Sequence, residues 1–489
     1  MRAVRSSFGP TVTLIVARTL SFAVTFFIPV ILVRLFSQAT YGAYKQVFLV
    51  YVICYAIAQV GMAESLYYFI PSDPAKAGRI VMNSVIILGV SGSVCVTVLA
   101  ARSRQVATWL GNPEIAGYVA PISVFLLFML ITSVLEISMM ARKHYVLAAW
   151  TYFSSDVLRS ALLIVPALLF RSLGALVVGA IAFAAMRVCF CAIYLVREFA
   201  GELAFDWPCL RRQLIYALPF ELAIIVDTLQ NNYHQYTVSH SFGPVLFAIY
   251  SIGCLQLPFV DFVAGPAANV MMVRMAERTA ESLAIWRDTT RKLALVFLPM
   301  FALLVIAARE IILLLFTARY AAAIPIFMLW TVVVPLAVLQ TESVMRVFAQ
   351  THFILFVNLL RLGMIAGMIG AFVLTFGLRG AVLITLAATA VSKGLSLVRA
   401  AQLMQVSLRE ILPWGSLAAI AAASAAACLP VWFVKTQVHL PLAFLLALMG
   451  SLYVLSYAGL LFGFDLLTPD ERLVIGSWLP AMPTPGERG

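Results

Sequence analysis

Fourteen stretches of this chain are apolar enough and long enough to cross a lipid bilayer, and little but short connectors separates them. A crossing helix needs about 20 apolar residues, so nearly the whole chain reads as membrane. The spans fall near residues 11–33, 46–70, 80–101, 118–140, 150–170, 173–196, 214–239, 246–272, 293–308, 322–347, 353–376, 378–400, 413–434 and 441–463. Composition agrees independently: 63% of the residues are hydrophobic and 11% charged, against roughly 25% charged in an ordinary soluble domain. A soluble chain of this length and content would aggregate.

Arg2 and Arg5 precede the first apolar run as they would in a secretory signal. Arg18 interrupts that run, however, and no small-residue cleavage site follows, so it reads as an uncleaved first span. With the amino terminus in the cytoplasm, connectors on that side carry twice as many Lys and Arg as those on the far side, which favours both termini being cytoplasmic. The net charge of +12 reads as orientation and attraction to anionic inner-leaflet lipid. Nucleic acid is not an expected partner, since no basic run with interleaved aromatics occurs. Six of the seven cysteines lie inside spans and Cys209 lies in a connector, with no disulfide or metal spacing.

The chain also contains its own duplicate. A shift of 206 residues brings Phe36, Tyr44, Glu136, Phe170, Gly174 and Ala175 onto Phe242, Tyr250, Glu342, Phe376, Gly380 and Ala381, and Arg187 onto Lys393. Each copy holds six spans, an even number, so both enter the membrane from the same side and are related by an axis along its normal. The expected fold is an all-α polytopic membrane protein of about 14 helices. It comprises a six-helix bundle over 1–205, a second over 206–405, two further helices over 406–465 and a cytoplasmic tail over 466–489, with a central cavity between the bundles.

Thirteen charges sit more than one residue inside the predicted spans: Arg18, Glu64, Glu136, Asp156, Arg159, Arg187, Glu221, Asp227, Asp261, Glu342, Arg346, Arg361 and Lys393. Each would cost roughly 2.5 to 3.5 kcal/mol at a lipid-facing helix centre, so they must face protein, one another or water. Asp156 with Arg159 and Glu342 with Arg346 have the i,i+3 and i,i+4 spacings that neutralise on one helix face. Arg187 and Lys393 lie near helix ends, from which long basic side chains snorkel to the interface.

Arg18 shares a helical stripe with Thr11, Ser21 and Thr25, a face with no use in lipid. Under the repeat, Ser21 and Thr25 correspond to Asp227 and Asn231, where Glu221, Thr228, Asn232 and Gln235 mark a second wet face. The first helices of the two bundles therefore face each other across water, or an Arg18–Asp227 pair clamps them. Aromatic and polar residues gather around Glu64 (Gln59, Tyr67, Tyr68) and along span seven (Tyr233, His234, Tyr236). Such groups suit sugar faces, and Tyr also populates interfacial belts. Pro219, Pro258, Pro266, Pro325 and Pro335 mark places where helices can kink. No Walker motif, nucleotide loop, metal cluster or acyl-transfer constellation appears. The longest connectors, near 197–213 and 273–292, lie on the expected cytoplasmic side, and none on the far side is long enough for an external catalytic loop. The chain is thus not expected to be an enzyme or to need a cofactor.

The stretches LFSQATYGAYKQVFLV (35–50), GMAESLYYFIP (61–71), FGPVLFAIYSIG (242–253) and LLLFTARYAAAIPIF (313–327), in this order on a twelve-plus-two span plan, resemble one known family. It is the polysaccharide flippases of the multidrug/oligosaccharidyl-lipid/polysaccharide exporter superfamily, relatives of the lipid II flippases. The resemblance covers about residues 8–460. It implies a bacterial inner-membrane protein that moves polyprenyl-diphosphate-linked oligosaccharide from the cytoplasmic to the outer leaflet by alternating access, in O-antigen or exopolysaccharide synthesis. Polysaccharide polymerase and chain-length or export proteins are the implied partners, and an H+ or Na+ gradient the implied drive. By resemblance, Arg18, Arg159, Arg346 and Arg361 meet the diphosphate, where an undissociable planar guanidinium is well suited. Many relatives carry an acidic residue well before the position of Tyr250, where this chain has Asn231 and Asn232.

The expected substrate-contacting residues are therefore Arg18, Ser21, Thr25, Glu64, Asp227, Asn231, Asn232, Gln235, Asp261, Arg346 and Arg361. Glu136, Asp156, Arg159, Glu221 and Glu342 are expected as structural or coupling charges. The rival readings are a cation-coupled multidrug exporter of the same superfamily and, behind it, a polysaccharide polymerase or ligase. The absence of an acidic residue in span one weighs against the exporter.

Overall fold

Apolar runs in hydrocarbon satisfy their backbone groups only within a helix, and the regular elements observed are all helical. The computed structural model describes residue 20, residues 24–469 and residues 471–472. In chain order the helices are α1 (Val24–Leu35), α2 (Gln38–Ala58), α3 (Met62–Ser72), α4 (Ala77–Ala101), α5 (Ser103–Trp109), α6 (Ala116–Thr132), α7 (Val134–Ala141), α8 (Tyr145–Phe170), α9 (Leu173–Glu198) and α10 (Trp207–Gly253). There follow α11 (Pro258–Glu277), α12 (Ser282–Ile306), α13 (Ala308–Phe316), α14 (Ile324–Trp330), α15 (Val333–Leu336), α16 (Thr341–Val347), α17 (Thr351–Phe376), α18 (Leu378–Leu403), α19 (Trp414–Ala426), α20 (Cys428–Gln437) and α21 (Leu442–Gly463).

Among the described residues, 12 helical stretches are long and apolar enough to cross a membrane. Apolar α1 and the more polar α10 bring the total to the expected fourteen or so. The chain is a multi-pass membrane protein.

Several spans are interrupted. Span two breaks between α2 and α3, where Val60 (φ 54°) and Gly61 (φ 65°) are left-handed. Span four breaks at Ser133, and span ten is divided into α14, α15 and α16. The sequence predicts a continuous span over 246–272, but Cys254–Leu257 is non-helical, because Pro258 supplies no N–H to a helix running through it. Pro219 and Pro266, by contrast, sit inside continuous helix. The connector expected over 273–292 is also largely helical. The start of α12 buries Ile285 and Trp286 and pairs Lys292 with Asp288 at 2.7 Å across one turn.

The chain divides into two compact units, one running to Ile252 and including Leu362–Ile384, the other formed by Gly253–Arg361 and the chain from Thr385. In the first, α6 packs against α2, α4 and α9, and α3 against α7. Leu66, Val81, Leu88, Leu126, Leu130 and Leu135 are buried in its core. Val90, Val94 and Val98 form an exposed i,i+4 stripe on α4, an outward apolar face as lipid requires. In the second unit, α12 is central, packed on α11, α15 and α19, with Leu293, Phe297 and Val334 buried between them.

Lipid tails are as apolar as Leu, so helix association relies on close backbone approach. A Cβ at Gly179 would overlap the Leu162 carbonyl, and one at Gly42 the Pro244 carbonyl. Gly243 (φ 70°) bends α10 just before that contact.

Candidate functional site

The amino-terminal end of α10 is fixed by polar groups. Asp206 caps the helix, its carboxylate accepting from the Cys209 N–H at 3.0 Å and pairing with Arg79 at 3.4 Å. Asn83 holds the same residue from the other side, donating to its carbonyl at 2.9 Å and accepting its N–H at 3.1 Å. The Cys209 amide, with Arg79 behind it, holds the Asp206 carboxyl below the usual range. Just beyond, Tyr216 stacks on Tyr68 with centroids 4.9 Å apart. Tyr68, Phe69, Ser72, Asp73, Ile80, Cys209 and Arg212 line a cleft of about 370 Å³.

So anchored, α10 runs along the broken span two. At the elbow between α2 and α3, Gln59 Nε2 donates to both Glu64 oxygens at 2.7 and 2.8 Å. A Cβ at Gly61 would meet the Ala217 carbonyl oxygen at 2.8 Å, which is how closely the elbow and α10 approach. One turn on, Glu221 is buried, and the Gly61 amide and Glu64 carboxylate are its electrostatic surroundings. The approach of these two acids is invisible in the sequence, being 157 positions apart.

A line of rings runs along α2: Tyr41, Tyr44, Phe48, Tyr51 and Tyr55 are successive neighbours with centroids 4.9 to 6.2 Å apart. Arg159 acts electrostatically on Tyr44 and Tyr51, and is itself paired to Asp156 at 2.8 Å. Arg187 acts on Tyr51 and Tyr55. Position near a helix end suggested that Arg187 snorkels. Instead its side chain is 12% exposed and bonds Glu136 at 2.6 Å, Ser155 at 2.9 Å and the Thr132 hydroxyl at 3.1 Å.

Further along α10, Gln213, Ala217, Glu221, Gln230, His234 and Val238 are buried, while Asp227 and Asn231 are exposed and Asn232 and Gln235 half-buried. This puts polar groups on the more exposed side of a helix of membrane-spanning length, as a water-lined surface demands. Gln230 donates to Asp227 at 2.9 Å, Asn232 to the Thr228 carbonyl at 2.9 Å and Gln235 to Asn232 at 3.3 Å. His234 is buried with Nδ1 2.6 Å from the Tyr250 hydroxyl. Thr25 is half-buried on α1. Arg18 and Ser21 lie outside the described residues.

The second unit repeats part of this arrangement. Lys393 donates to the Leu339 carbonyl at 2.9 Å, at the break before α16, much as Arg187 reaches the break before α7. Glu342 and Arg361 act electrostatically on Lys393. Glu342 pairs with Arg346 at 3.8 Å, both half-exposed or more. Asp261 is exposed in the first turn of α11. Among the described residues no group of three or more His, Cys, Asp or Glu could hold a metal ion.

A family model described as polysaccharide biosynthesis protein matches residues 31–325. No curated protein matched the sequence. Among solved structures, the lipid II flippase MurJ in an inward closed conformation matches with a TM-score of 0.74 at 11% identity, over 94% of this chain and 100% of that one. An inward-facing multidrug resistance MATE family transporter of the MOP superfamily matches with a TM-score of 0.60 at 17% identity, over 81% and 99%. A MOP superfamily transporter from Pyrococcus furiosus matches with a TM-score of 0.54 at 16% identity, over 80% and 94%. These similarities give the chain the fold of that superfamily.

Proposed function

Because this chain belongs to the polysaccharide biosynthesis protein family, we propose that it translocates polyprenyl-diphosphate-linked oligosaccharide from the cytoplasmic to the outer leaflet of a bacterial inner membrane by alternating access. Both termini are cytoplasmic in this reading, and an H+ or Na+ gradient drives it. The observation that carries it is the exposure of Asp227 and Asn231 on one stripe of α10. A membrane helix exposes such groups only to water or a polar cargo, and sugar hydroxyls pair well with carboxylate and amide groups.

The anionic diphosphate needs counter-charge inside a low-dielectric slab, and Arg18, Arg159, Arg346 and Arg361 are the candidates to supply it. Ser21, Thr25, Glu64, Asn232, Gln235 and Asp261 would meet the sugars. The polyprenyl tail needs no cavity and stays in lipid. Polymerase and chain-length or export proteins would act on the product.

The test is genetic. Deleting the gene should abolish the surface polysaccharide and accumulate its lipid-linked unit. Wild type should restore it, and Arg18→Ala, inserted at wild-type levels, should not. Unchanged polysaccharide with Arg18→Ala would remove that residue from the site. Unchanged polysaccharide on deletion, with gained drug susceptibility, would favour the exporter.

A further inference from the structure

Glu221 is 2% exposed, and neither of its carboxylate oxygens has a hydrogen-bond partner. The one acid that acts on it is Glu64, held by Gln59 across the elbow where Gly61 touches Ala217. Among the described residues, neither carboxylate is within ion-pair distance of a Lys, Arg or His.

Among the described residues, the neighbouring elements supply no missing cation. On α2, Tyr55 feels Glu64 and Glu136 together. On α7, which packs against α3, Glu136 is already engaged by Arg187 from α9. On α4, also against α3, no Asp, Glu, Lys or Arg occurs from Ile80 to Ala101, and Arg79 turns to Asp206. On α10 itself, Asp227 is exposed and bonded to Gln230.

A buried ionised carboxylate with no cation and only the Gly61 amide beside it is disfavoured, and a second carboxylate nearby makes it worse. Two acids so placed titrate as a pair.

We propose that Glu221 and Glu64 form a proton-binding site, with the proton on Glu221 and the negative charge on Glu64 under Gln59. The site acts as a latch. With the proton bound, α10 closes on the elbow and the Gly61–Ala217 approach is allowed. When the proton leaves, two like charges lie close together and push α10 from α3. This deepens the transport reading and rests on it, since it makes H+ the coupling ion.

The experiment uses the full chain in lipid nanodiscs without substrate, following the infrared C=O stretch of protonated carboxyl groups through a titration from neutral to alkaline pH. Wild type should show a protonated-carboxyl band that disappears on alkalinisation. The neutral, near-isosteric Glu221→Gln should lack that band. Glu64→Gln, which removes the neighbouring negative charge, should release the proton about one pH unit earlier.

A wild type without the band, or a band that survives Glu221→Gln, overturns the proposal. So does a band that falls when Na+ replaces K+ at fixed pH, since the site would then bind that cation. No cargo is present, so the proton site and the cargo fail separately. A positive titration with polysaccharide unaffected by gene deletion sinks only the flippase reading, whereas a missing band with polysaccharide dependent on the gene sinks only the latch.

Discussion

The Arg187 guanidinium on α9 bonds the Glu136 carboxylate on α7 at 2.6 Å and the Thr132 hydroxyl at 3.1 Å, at the point where span four is interrupted. A helix break exposes carbonyls that lost their partners, with the negative end of a helix dipole beside them. A cation placed there satisfies both the carbonyl end and the acid that opens the next helix. In the second copy, Lys393 reaches the Leu339 carbonyl at 2.9 Å, with Glu342 acting on it from α16. The two sites thus share one solution to one physical problem, a broken helix inside a membrane.

Removing one partner of the first pair should be far worse than removing both. Arg187→Met leaves Glu136, whose side chain is 3% exposed, as an uncompensated buried charge, at a cost of about 3 to 5 kcal/mol. The double variant Arg187→Met with Glu136→Gln should recover most of that. Thermal unfolding in detergent, followed by monodisperse protein remaining, checks this. Equal losses in the single and double variants would mean the pair carries no coupling.

Gly61→Ala should destabilise the elbow. Gly61 has φ 65° and its Cβ would press on the Ala217 carbonyl, so left-handed strain and a backbone clash add, on the order of 1 to 3 kcal/mol. Gly117→Ala, within α6 and with nothing in range of its Cβ, should be neutral or slightly stabilising. The same unfolding assay compares them, and matching melting points would contradict the close approach of α10 to the elbow.

The start of α10 should loosen in acid. The Cys209 amide and Arg79 hold the folded Asp206 carboxyl below its ordinary value of 3.8. Its stabilising contribution is therefore complete above that ordinary value and is lost as pH falls through the lower folded one. Hydrogen exchange at the Cys209 amide, corrected for intrinsic rate, should stay protected from neutrality to about pH 4 and lose protection below. Asp206→Asn should remove the pH dependence, and protection that persists in strong acid would show that the cap does not depend on charge.

The polar side of α10 should be wet. In a variant without its native cysteines, Cys at Asp227 or Asn231 should react with a membrane-impermeant thiol reagent added to both faces of the membrane. Cys at Leu222, exposed at 62% on the apolar part of the helix, should not. Lipid-like protection at both polar positions would remove the water-lined surface on which the proposed function stands.

Much of the fold was legible because its cause is local. A run of apolar residues long enough to cross a bilayer has one way to bond its backbone, so the spans could be placed from composition alone. The i,i+3 pairing of Asp156 with Arg159 at 2.8 Å is likewise set by helix spacing. The fate of Arg187 was not legible. Its distance from a helix end points to snorkelling, whereas its real neighbours, Thr132, Glu136 and Ser155, come from three other helices, α6, α7 and α8. Span eight misled for a related reason, since hydropathy averages over Cys254–Leu257 while the backbone responds to a single residue, Pro258.

The sequence by itself determined that the chain lives in a membrane and which charges need a partner, because transfer into hydrocarbon is a property of each segment alone. Only the tertiary structure decided which partners they found. It gave Glu136 a guanidinium and, among the described residues, left Glu221 near Glu64 with no cation within ion-pair distance, because contacts between helices depend on breaks, bends and glycine approaches that no single segment encodes.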